Sequence, residues 1–506
     1  MTGCAEQRGA GQPRTPAPFR LAIPGPGGYG VAAMNNVHTK EEKPMVAIAG
    51  ASGFVGSHLC RALRDDYRVV GLARRAREEA GVEWRACDLF SATSTFAALE
   101  GADVAFYLVH SMMPSSSLFQ GSFHVTDLLL ADNFARACAS QGVKQIIYLG
   151  GLIPEEGFVS AHLTSRHEVE YVLKGSGVPV TCLRAGMVVG PEGSSFEILR
   201  ALVQRLPWMI LPRWTRNLTQ ATYIDDVVSV LKAAIFDPAF TGKTLNLVNG
   251  EALSYELLLR QTAEALGKKR LMVGVPINST GFSKRWVQLF SRAAYELISP
   301  LIDSLQCDLP QVKPGPEIAP LIRYPTFRVM LEHTLAKPAR APPGAPSPGR
   351  GLPTVRSIQR LPSLPQHDAR FISNEYMDWL PRFFRAVIRI TRDPESRIVF
   401  SLSFLPWPLL VLEYIQGRSD MDRNKFHIVA GALSRTSSTG WLEFRQVAGK
   451  RFTLASLHEF VPSLPWPLYV ITQAPVHALV MNRFGRHLAR LGAAEEVPGA
   501  RADQER

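Results

Sequence analysis

The glycines of Gly50-Ala-Ser-Gly53-Phe-Val-Gly56 have the spacing that a phosphate-binding turn requires. The apolar run Val46–Ala49 precedes this turn, and a helical pattern from Ser57 to Arg64 follows it. Glycine permits a tight turn and a close approach of the backbone, and the start of a helix presents unpaired N–H groups at the positive end of its dipole. The strand–turn–helix context therefore predicts that the turn binds the pyrophosphate of a dinucleotide.

The residues after the second predicted strand indicate which dinucleotide is bound. Enzymes that use NAD usually place an acidic side chain there, which binds the free 2′-hydroxyl of the ribose. Here Arg74 and Arg75 stand at that position, and two guanidinium groups can pair with a 2′-phosphate. We therefore predict NADP as the cofactor, with NAD as the alternative. Asp88, followed by Leu89 after the third strand, is predicted either to bind the adenine amino group or to cap its own loop.

Two histidines and an arginine are the candidates for chemistry beside the cofactor. His162 and Arg166 lie four residues apart in a helical pattern, so both face one side of that helix. A histidine with a pKa near neutrality can donate a proton, although His162 can equally cap its helix, and Arg166 can hold ribose hydroxyls. His110 follows the fourth predicted strand, at the sheet edge where α/β folds bind their ligands. The predicted catalytic residues are therefore His162, Arg166 and His110.

Alternating strand and helix patterns must position these residues. They run from Met45 to about Asn249 and predict an α/β fold, a Rossmann domain with a doubly wound parallel sheet. The apolar runs predicted as its buried strands are Val46–Gly50, Arg68–Leu72, Val104–Val109, Gln145–Leu149, Val180–Leu183 and Thr244–Val248. The stretch from Leu253 to Leu305 is predicted to be a mostly helical cap on the substrate side.

Composition divides the chain into five parts. Residues 1–44 are predicted to be a disordered leader, and residues 45–332 the NAD(P)-binding domain. Residues 333–370 hold a proline-rich stretch, which predicts an extended linker. Residues 371–491 regain apolar patterning and are predicted to be a smaller C-terminal α+β domain, followed by a disordered tail at residues 492–506. A sheet with a long terminal helix is, by analogy alone, the layout of lipid-transfer folds.

One short motif occurs twice in the C-terminal part. Leu405-Pro-Trp-Pro-Leu409 returns as Leu464-Pro-Trp-Pro-Leu468, and apolar residues follow each copy. Two copies are too few for a solenoid repeat. The similarity is either chance between two turn-plus-strand segments or a pair of aromatic lips on an apolar pocket.

The charge of the chain is uneven. Its formal net charge is +12, yet residues 45–332 carry 28 basic and 27 acidic side chains, whereas residues 333–506 carry 23 and 14. A basic surplus can attract nucleic acid or anionic lipid. No run of Lys and Arg with interleaved aromatic residues occurs, so a solvated face and no nucleic-acid partner are predicted.

Neither a metal site nor a membrane span is predicted. The six cysteines show no CxxC spacing, which is typical of thiols in a reducing cytosol. The longest apolar run, from Ile398 to Leu412, is too short and too interrupted by proline for a transmembrane helix. We therefore predict a cytoplasmic protein with a small-molecule substrate, and the oligomeric state is left open.

Further motifs make the chain resemble a known family. With the glycine turn and Asp88-Leu89, the late motif Tyr223-Ile-Asp-Asp226 resembles that of atypical and extended short-chain dehydrogenases/reductases. The segments that narrow the resemblance to an NmrA-like bacterial group of epimerase/dehydratase-like NAD(P)-binding oxidoreductases, often with an extra C-terminal domain, are Tyr107–Met112, Tyr148–Leu152 and His162–Arg166. The resemblance covers about Met45 to Asp308. It implies the Rossmann fold and the nicotinamide cofactor, and says much less about the reaction.

The chain departs from this family at the residues that move protons. The family uses a serine on the fifth strand and a Tyr-x-x-x-Lys on the next helix, where the tyrosine transfers the proton and the lysine lowers its pKa. Here the strand ends in Gly150-Gly151 without serine, and the aligned helix carries His162 and Arg166 instead. Gly186, after the sixth strand, is expected to shape the carboxamide side of the pocket.

The residues predicted to bind the cofactor share a place in these motifs or at the ends of the predicted strands. They are Gly50, Ser52, Gly53, Phe54, Val55, Gly56, Arg74, Arg75, Asp88, Leu89, Val109, His110, Gly150, Gly151, Arg166 and Gly186.

Three hypotheses of function follow. The first is an NAD(P)H-dependent oxidoreductase acting on an apolar carbonyl or unsaturated substrate. Phe196, Trp208 and Trp214 lie in the variable loop region that would roof such a substrate, and their aromatic character indicates either a hydrophobic substrate or a partner surface. The second is a non-catalytic NADP(H)-sensing binding or regulatory protein, which the missing serine and tyrosine favour. An isomerase or dehydratase ranks last, because the relatives with those activities keep the Tyr-x-x-x-Lys that this chain lacks.

Overall fold

The structure is a computed structural model that describes residues 43–75, 77–110, 118–276, 281, 284–285, 299, 302–337, 354–385, 387–405, 407–435 and 440–502. The strands are β1 (Met45–Ala49), β2 (Arg68–Ala73), β3 (Val82–Ala86), β4 (Val104–Tyr107), β5 (Leu118–Gln120), β6 (Gln145–Gly151), β7 (Val180–Ala185), β8 (Met187–Val189), β9 (Trp208–Leu211), β10 (Leu218–Tyr223), β11 (Thr244–Leu247), β12 (Ala252–Ser254), β13 (Leu271–Gly274), β14 (Val355–Leu361), β15 (Ile388–Arg392), β16 (Ile398–Leu402), β17 (Pro408–Tyr414), β18 (Arg423–Ala430), β19 (Trp441–Val447) and β20 (Phe452–Phe460). The helices are α1 (Phe54–Leu63), α2 (Ala92–Ala98), α3 (Phe123–Ser140), α4 (Ala161–Lys174), α5 (Ser194–Arg205), α6 (Ile224–Ala233), α7 (Tyr255–Ala265), α8 (Phe327–Ala336), α9 (Ala369–Phe383), α10 (Trp466–Ile471) and α11 (Gln473–Ala502).

Parallel strands form the central sheet of the N-terminal part. Their order is β11-β7-β6-β4-β1-β2-β3, and every neighbouring pair is parallel. Helices α1 and α6 cover one face, while α2, α3 and α4 cover the other. The chain passes from β1 to β2 and β3 and then places β4 on the opposite side of β1. This confirms the predicted doubly wound Rossmann domain, whose ligand crevice lies where the strand order reverses, at the carboxyl ends of β1 and β4.

Local sequence explains the elements that border this crevice. β1 and β4 are apolar and buried at every position, as expected of central parallel strands that are covered on both faces. Helix α4 begins where the Ser160 side chain accepts a hydrogen bond from the N–H of Leu163. The end of β4 leads directly to His110, and the first turn of α4 carries His162.

The region predicted to be a helical cap is only partly helical where it is described. Tyr255–Ala265 is α7, but Leu271–Gly274 is a strand that pairs in parallel with β9. Most of residues 277–301 lie outside the described residues.

The C-terminal part is built on an antiparallel sheet with helices on one face. Its order is β15-β16-β17-β18-β19-β20-β14-β5, and every pair is antiparallel except β14 with β5. Trp379 of α9 and Phe484 of α11 pack together over the buried Phe444 of β19. This confirms the predicted α+β architecture of the C-terminal part.

The other face of this sheet packs against the Rossmann domain. Ile358 and Leu454 belong to the same buried core as Leu128 of α3 and Val169 of α4. In addition, β5 comes from the N-terminal part of the chain and extends the C-terminal sheet. The described residues from Lys43 onward therefore form one compact unit with a shared apolar core, and the independent folding of its two parts stays a prediction.

Two of the predicted boundaries are wrong. Within the predicted linker, residues 333–370, α8 runs to Ala336 and β14 spans Val355–Leu361. Val355 and Ile358 are fully buried. The pairing of β14 with β20 and β5 therefore determines the structure of this segment more strongly than the proline-rich composition around it. The predicted disordered tail, residues 492–506, continues α11 as far as Ala502.

Other predicted segments lie outside the described residues. These are residues 338–353 of the linker and the predicted leader, residues 1–44, apart from its last two positions. Among the described residues, no helix combines the length and apolar character needed to cross a membrane.

Candidate functional site

The turn after β1 has a geometry suited to a bound phosphate. Gly50 adopts a φ of +88°, a left-handed conformation that favours glycine, and its oxygen accepts a hydrogen bond from the N–H of Gly53 at 2.9 Å. A Cβ on Gly56 would lie 2.2 Å from the same oxygen, so only glycine lets α1 pack against the turn. A Cβ on Gly53 would meet that oxygen at 3.2 Å and no other described atom within 4 Å. Gly53 therefore faces open space at the N-terminus of α1, which no described side chain caps.

Two arginines stand beside this turn. Arg74 and Arg75 are exposed at the end of β2, the strand next to β1, and neither forms an ion pair with another described residue. The following basic residue, Arg77, lies over the ring of Trp84 at 5.8 Å. Arg74 and Arg75 are thus two cations free to bind an anion near the turn.

Asp88, which the sequence predicts either to bind adenine or to cap its own loop, is held by the C-terminal sheet. Its Oδ2 accepts a hydrogen bond from Arg356 Nη2 at 2.9 Å, and its Oδ1 accepts one from the N–H of Phe90 at 3.2 Å. The Arg356 guanidinium also lies over the Phe90 ring at 4.2 Å and contacts Glu459. The loop-capping role is thereby present, and the Asp88 side chain remains 37% exposed, which leaves room for a ligand.

A second chain of hydrogen bonds joins the same loop to the C-terminal sheet. Asn133 of α3 donates from Nδ2 to the oxygens of Leu89 at 2.8 Å and Phe90 at 3.2 Å. Its Oδ1 accepts a hydrogen bond from Arg445 Nη1 at 2.7 Å. The loop that follows β3 is therefore fixed twice by arginines of the C-terminal part.

The two candidate histidines meet at the carboxyl edge of the central sheet. The rings of His110 and His162 are stacked, with centroids 4.8 Å apart and an interplanar angle of 23°. Nδ1 of His162 lies 2.8 Å from the hydroxyl oxygen of Ser304. Phe123 contacts His110 edge-on, with ring centroids 6.4 Å apart. The structure thus brings together two residues that are 52 positions apart in the sequence.

A buried carboxylate, Asp127 of α3, organises this cluster. Its Oδ2 forms an ion pair with Arg166 Nη2 at 2.5 Å, accepts a hydrogen bond from Ser165 at 2.9 Å and lies 3.4 Å from Nδ1 of His110. Arg166 also donates from Nη1 to the oxygen of Val109 at 3.1 Å. The Arg166 side chain is only 7% exposed and binds groups inside the protein, whereas the sequence led us to expect that it would hold ribose hydroxyls.

Burial decides the charges of these groups. Burial, followed by His110 and Arg166, lowers the pKa of His162 to about 3. Burial and Arg166 also lower the pKa of His110, against the opposing effect of Asp127. Although burial opposes the charge of Arg166, Asp127 raises the pKa of that guanidinium. At neutral pH both imidazoles are therefore neutral and the arginine is charged, so the expected pKa of His162 near neutrality is wrong.

The N-terminal part is similar to a known protein family. Residues 46–247 match the model of the NAD dependent epimerase/dehydratase family, in agreement with the glycine turn and the doubly wound sheet. The described part of residues 45–332, which contains this match, is called the epimerase/dehydratase domain below. The cofactor class expected from the sequence is thereby confirmed.

Individual relatives resemble only parts of the chain. The chain is 21% identical over 294 residues to UDP-glucose 4-epimerase of Vibrio cholerae, and the aligned region spans 53% of this chain and 88% of that protein. The chain is 29% identical over 113 residues to auxiliary protein GraX of Staphylococcus aureus, and this aligned region spans 22% of this chain and only 37% of GraX. Among solved structures, the triphenylmethane reductase of Citrobacter sp. complexed with NADP(H) has a TM-score of 0.45 and 18% identity, covering 57% of this chain and 99% of that one.

Other residues predicted to bind the cofactor have packing roles in the epimerase/dehydratase domain. A Cβ on Gly150 would lie 2.9 Å from the ring of Tyr148, and one on Gly186 would lie 2.1 Å from the oxygen of Gln220. A Cβ on Gly151 would lie 3.1 Å from the side chain of Leu163. These glycines allow close packing beside the crevice, and their contact with a cofactor stays a prediction.

The predicted aromatic roof is largely wrong. Phe196 is fully buried and Trp214 is 9% exposed, and both belong to the apolar core of the epimerase/dehydratase domain. Trp208, at 57% exposure, is the member of the trio that remains on the surface. The prediction was based on aromatic content in a loop region, but two members of the trio are buried in the apolar core, where Trp214 contacts Tyr255 of α7.

Sequence reasoning missed two members of the site. Asp127 is a carboxylate in an otherwise apolar stretch, Val125–Ala131 with Thr126, and that interruption is a signal for a buried, paired charge. Ser304 gives no such signal, because it meets His162 across 142 residues of sequence and only the fold brings the two together.

Proposed function

We propose that the protein is an NADP(H)-dependent oxidoreductase acting on an apolar carbonyl or unsaturated substrate. The observation that carries this proposal is the glycine turn, open at Gly53, with Arg74 and Arg75 unpaired beside it among the described residues. A pyrophosphate suits the open side of this turn, and a 2′-phosphate suits two adjacent guanidinium groups. When bound, such a cofactor supplies or accepts a hydride at its nicotinamide ring.

His162 is the residue we assign to the substrate. Because its imidazole is neutral at pH 7, it does not act as an imidazolium acid. A neutral imidazole can instead donate a hydrogen bond to a carbonyl oxygen and stabilise the negative charge that develops there. Ser304, by donating to Nδ1 across 2.8 Å, would hold the ring proton on Nε2 for this purpose. The proton that completes a reduction then comes from water.

The surrounding residues position His162. His110 stacks on its ring and restricts its rotation. Arg166 binds both Asp127 and the Val109 oxygen, and so ties α4 to the end of β4. We therefore assign His110, Asp127 and Arg166 to positioning, with no direct part in proton transfer.

An apolar substrate is supported by the aromatic side chains near this cluster. Phe123 contacts His110, and Phe158 is 60% exposed two positions before Ser160, the residue that caps α4. An exposed phenylalanine beside a crevice is a surface that an apolar molecule can cover.

The test is to purify the full chain, identify any dinucleotide that co-purifies by mass spectrometry and follow NADPH oxidation against a panel of apolar aldehydes, ketones and quinones. We expect NADPH binding and turnover of at least one compound. NADPH binding without turnover of any compound would favour the second candidate, an NADP(H)-sensing protein. That candidate is favoured by the low pKa of His162 and by the commitment of Arg166 to Asp127.

Replacing Arg74 and Arg75 together with alanine is expected to weaken NADPH binding by about 2–4 kcal/mol. This corresponds to two charge-assisted contacts of about 1.5–3 kcal/mol each, reduced by solvent screening. NADH binding should hardly change, since NADH has no 2′-phosphate. Isothermal titration calorimetry with both dinucleotides measures the difference. A double variant Lys268→Ala/Lys269→Ala, which removes the same charge elsewhere in the domain, is the control, and equal affinity of the wild type for NADH and NADPH would reject the assignment.

His162→Ala is expected to lower kcat about 10²–10³-fold, the usual loss when one hydrogen-bond donor to a developing oxyanion is removed. Because the pKa of His162 is about 3, kcat of the wild type should be level between about pH 5 and pH 8. An imidazolium acid would behave differently, and kcat would fall as the pH rises through about 6.5. Single-turnover rates across this pH range give the measurement.

The control for His162→Ala is His167→Ala, an exposed histidine on the same helix, which should leave kcat unchanged. NADPH affinity should stay near that of the wild type in both variants. Full turnover in His162→Ala would remove this residue from the mechanism.

A further inference from the structure

Exposed apolar side chains collect at one end of the C-terminal sheet. At this end β15 begins, β16 ends and β17 begins, and helix α10 follows the end of β20. The exposed residues that form this surface, named here the apolar tip, are Val387 (44%), Phe404 (70%), Leu405 (39%), Trp407 (68%), Leu468 (48%) and Ile471 (70%). Large apolar side chains with this exposure on a well-packed sheet mark an interaction surface.

Backbone hydrogen bonds hold the segments of the apolar tip in place. The N–H of Ser403 donates to the oxygen of Val387 at 2.9 Å, and the N–H of Ala432 donates to the oxygen of Pro408 at 2.9 Å. The N–H of Ser463 donates to the oxygen of Leu433 at 3.1 Å, which joins the segment before α10 to the same end. Backbone hydrogen bonds therefore link the turn that carries Trp407 to the segment that leads into α10.

The two copies of the Leu-Pro-Trp-Pro-Leu motif both lie at this end, in different roles. Trp407 of the first copy is exposed at the turn between β16 and β17. Trp466 of the second copy is partly buried and stacks on the buried Tyr469, with ring centroids 5.9 Å apart. One copy thus supplies the exposed Trp407 of the tip, and the other anchors helix α10, which carries Leu468 and Ile471.

Helix α11 continues this surface with positive charge. Val476 (50% exposed) and Leu479 (49% exposed) are followed at helical spacing by Arg483, Arg486 and Arg490. The three arginines, named here the arginine stripe, are exposed and form no ion pair with other described residues. His487, between them in sequence, pairs with Glu375 on α9 at 2.7 Å. The first turns of α11 are therefore apolar on their outer face, and the later turns are basic.

We propose that the apolar tip and the arginine stripe form a docking surface for an anionic lipid bilayer. Tryptophan and phenylalanine at a loop tip insert at the level of lipid headgroups, while arginines bind the headgroup phosphates. The charge of the chain matches this occupant, because the basic surplus lies in residues 333–506 and not in the nearly neutral residues 45–332. Phe404, Leu405 and Trp407 of the tip lie at the β15–β17 edge of the sheet, whereas β14 and β5 form the opposite edge, beside the epimerase/dehydratase domain.

The test is co-sedimentation of the full chain with vesicles of phosphatidylcholine alone and of phosphatidylcholine mixed with phosphatidylglycerol. We expect binding to the anionic vesicles that weakens as salt is added. Replacing Arg483, Arg486 and Arg490 with alanine should weaken binding about 100-fold, or about fivefold for each arginine. Trp407→Ser and Ile471→Ser should each weaken it about tenfold, through loss of the buried apolar side chain.

Two matched controls test whether binding depends on this surface or only on the overall charge and exposed apolar area of the protein. Arg64→Ala/Lys268→Ala/Lys269→Ala removes the same charge from exposed positions of the epimerase/dehydratase domain, and Phe96→Ser removes a phenylalanine that is 46% exposed there. Both should bind anionic vesicles like the wild type. The proposal is overturned if the wild type does not bind anionic vesicles at low salt, or if the control variants lose as much binding as the tip and stripe variants. It is also overturned if light scattering shows a dimer and the only effect of Trp407→Ser is to dissociate that dimer.

Discussion

A Gly53→Val variant is expected to fold and to lose at least about 3 kcal/mol of NADP(H) binding free energy, two charge-assisted hydrogen bonds at about 1.5–3 kcal/mol each. The φ of Gly53 is −81°, a conformation that valine accepts, and the new Cβ would meet only the Gly50 oxygen, at 3.2 Å. Its methyl groups would then occupy the open space at the start of α1 where the pyrophosphate is expected. Fluorescence titration with NADPH, together with circular dichroism, gives the measurement.

Two other glycine variants make this result specific. Gly417→Val places a side chain where no described atom lies within 4 Å, far from the turn in sequence, and should leave binding unchanged. Gly56→Val should instead destabilise the domain, because its Cβ would lie 2.2 Å from the Gly50 oxygen. A folded Gly53→Val variant with wild-type affinity would show that the phosphates bind elsewhere.

Arg445→Ala is expected to lower the free energy of unfolding of the full chain by about 3–5 kcal/mol, the usual effect of removing one partner from a buried ion pair. Arg445 is 1% exposed and pairs with Asp132 of α3 and with Glu443, both at 2.7 Å. Without it, Asp132 keeps only Arg136 and Glu443 keeps only Arg423 as an ion-pair partner among the described residues, and both carboxylates lose the buried cation that joins them at the contact between the C-terminal sheet and the epimerase/dehydratase domain. Denaturant unfolding at pH 7 measures the loss, and Arg418→Ala, an exposed arginine, should change stability by less than about 0.5 kcal/mol.

The effect of Arg445→Ala should depend on pH in a defined direction. Burial opposes the ionisation of Glu443, but Arg445 and Arg423 hold the pKa of this carboxyl well below its usual range. A carboxyl with a depressed folded-state pKa stabilises the fold above its unfolded pKa of about 4.3, and that stability is lost as the pH falls toward the folded value. The difference between wild type and Arg445→Ala should therefore narrow between about pH 5 and pH 3. A constant difference would mean that Arg445 acts through packing alone.

Much of the epimerase/dehydratase domain could be predicted from the sequence. The apolar runs that form β1, β4 and β6 are short, continuous and bounded by turn residues, and burial on both faces allows few other structures. The glycine turn was predictable for a similar local reason, since Gly50 requires a positive φ and Gly56 a close backbone contact. These constraints act within a few residues, so the local sequence carries them.

The residues around His162 could be predicted only in part. The i, i+4 spacing of His162 and Arg166 predicts only that both face one side of α4. The structure places His162 against His110, and Arg166 against Asp127, which also lies beside His110. The pKa of His162 and the engagement of Arg166 depend on burial and on Asp127, which lies 35 positions before His162 in the sequence. A side chain's charge state is set by the dielectric and the neighbours around it, and the local sequence specifies neither.

The sequence alone thus determined the buried parallel strands, the tight glycine turn after β1 and the basic residues that follow β2, because each depends on local backbone conformation and periodicity. Tertiary structure alone decided that β14, from a proline-rich segment, joins the C-terminal sheet. It also decided that Arg356 contacts Asp88 directly and that Arg445 binds Asn133, which holds the same loop. It also decided which tryptophan of the repeated motif is exposed. These outcomes depend on contacts between residues separated by up to 313 positions, and such contacts exist only once the chain has folded.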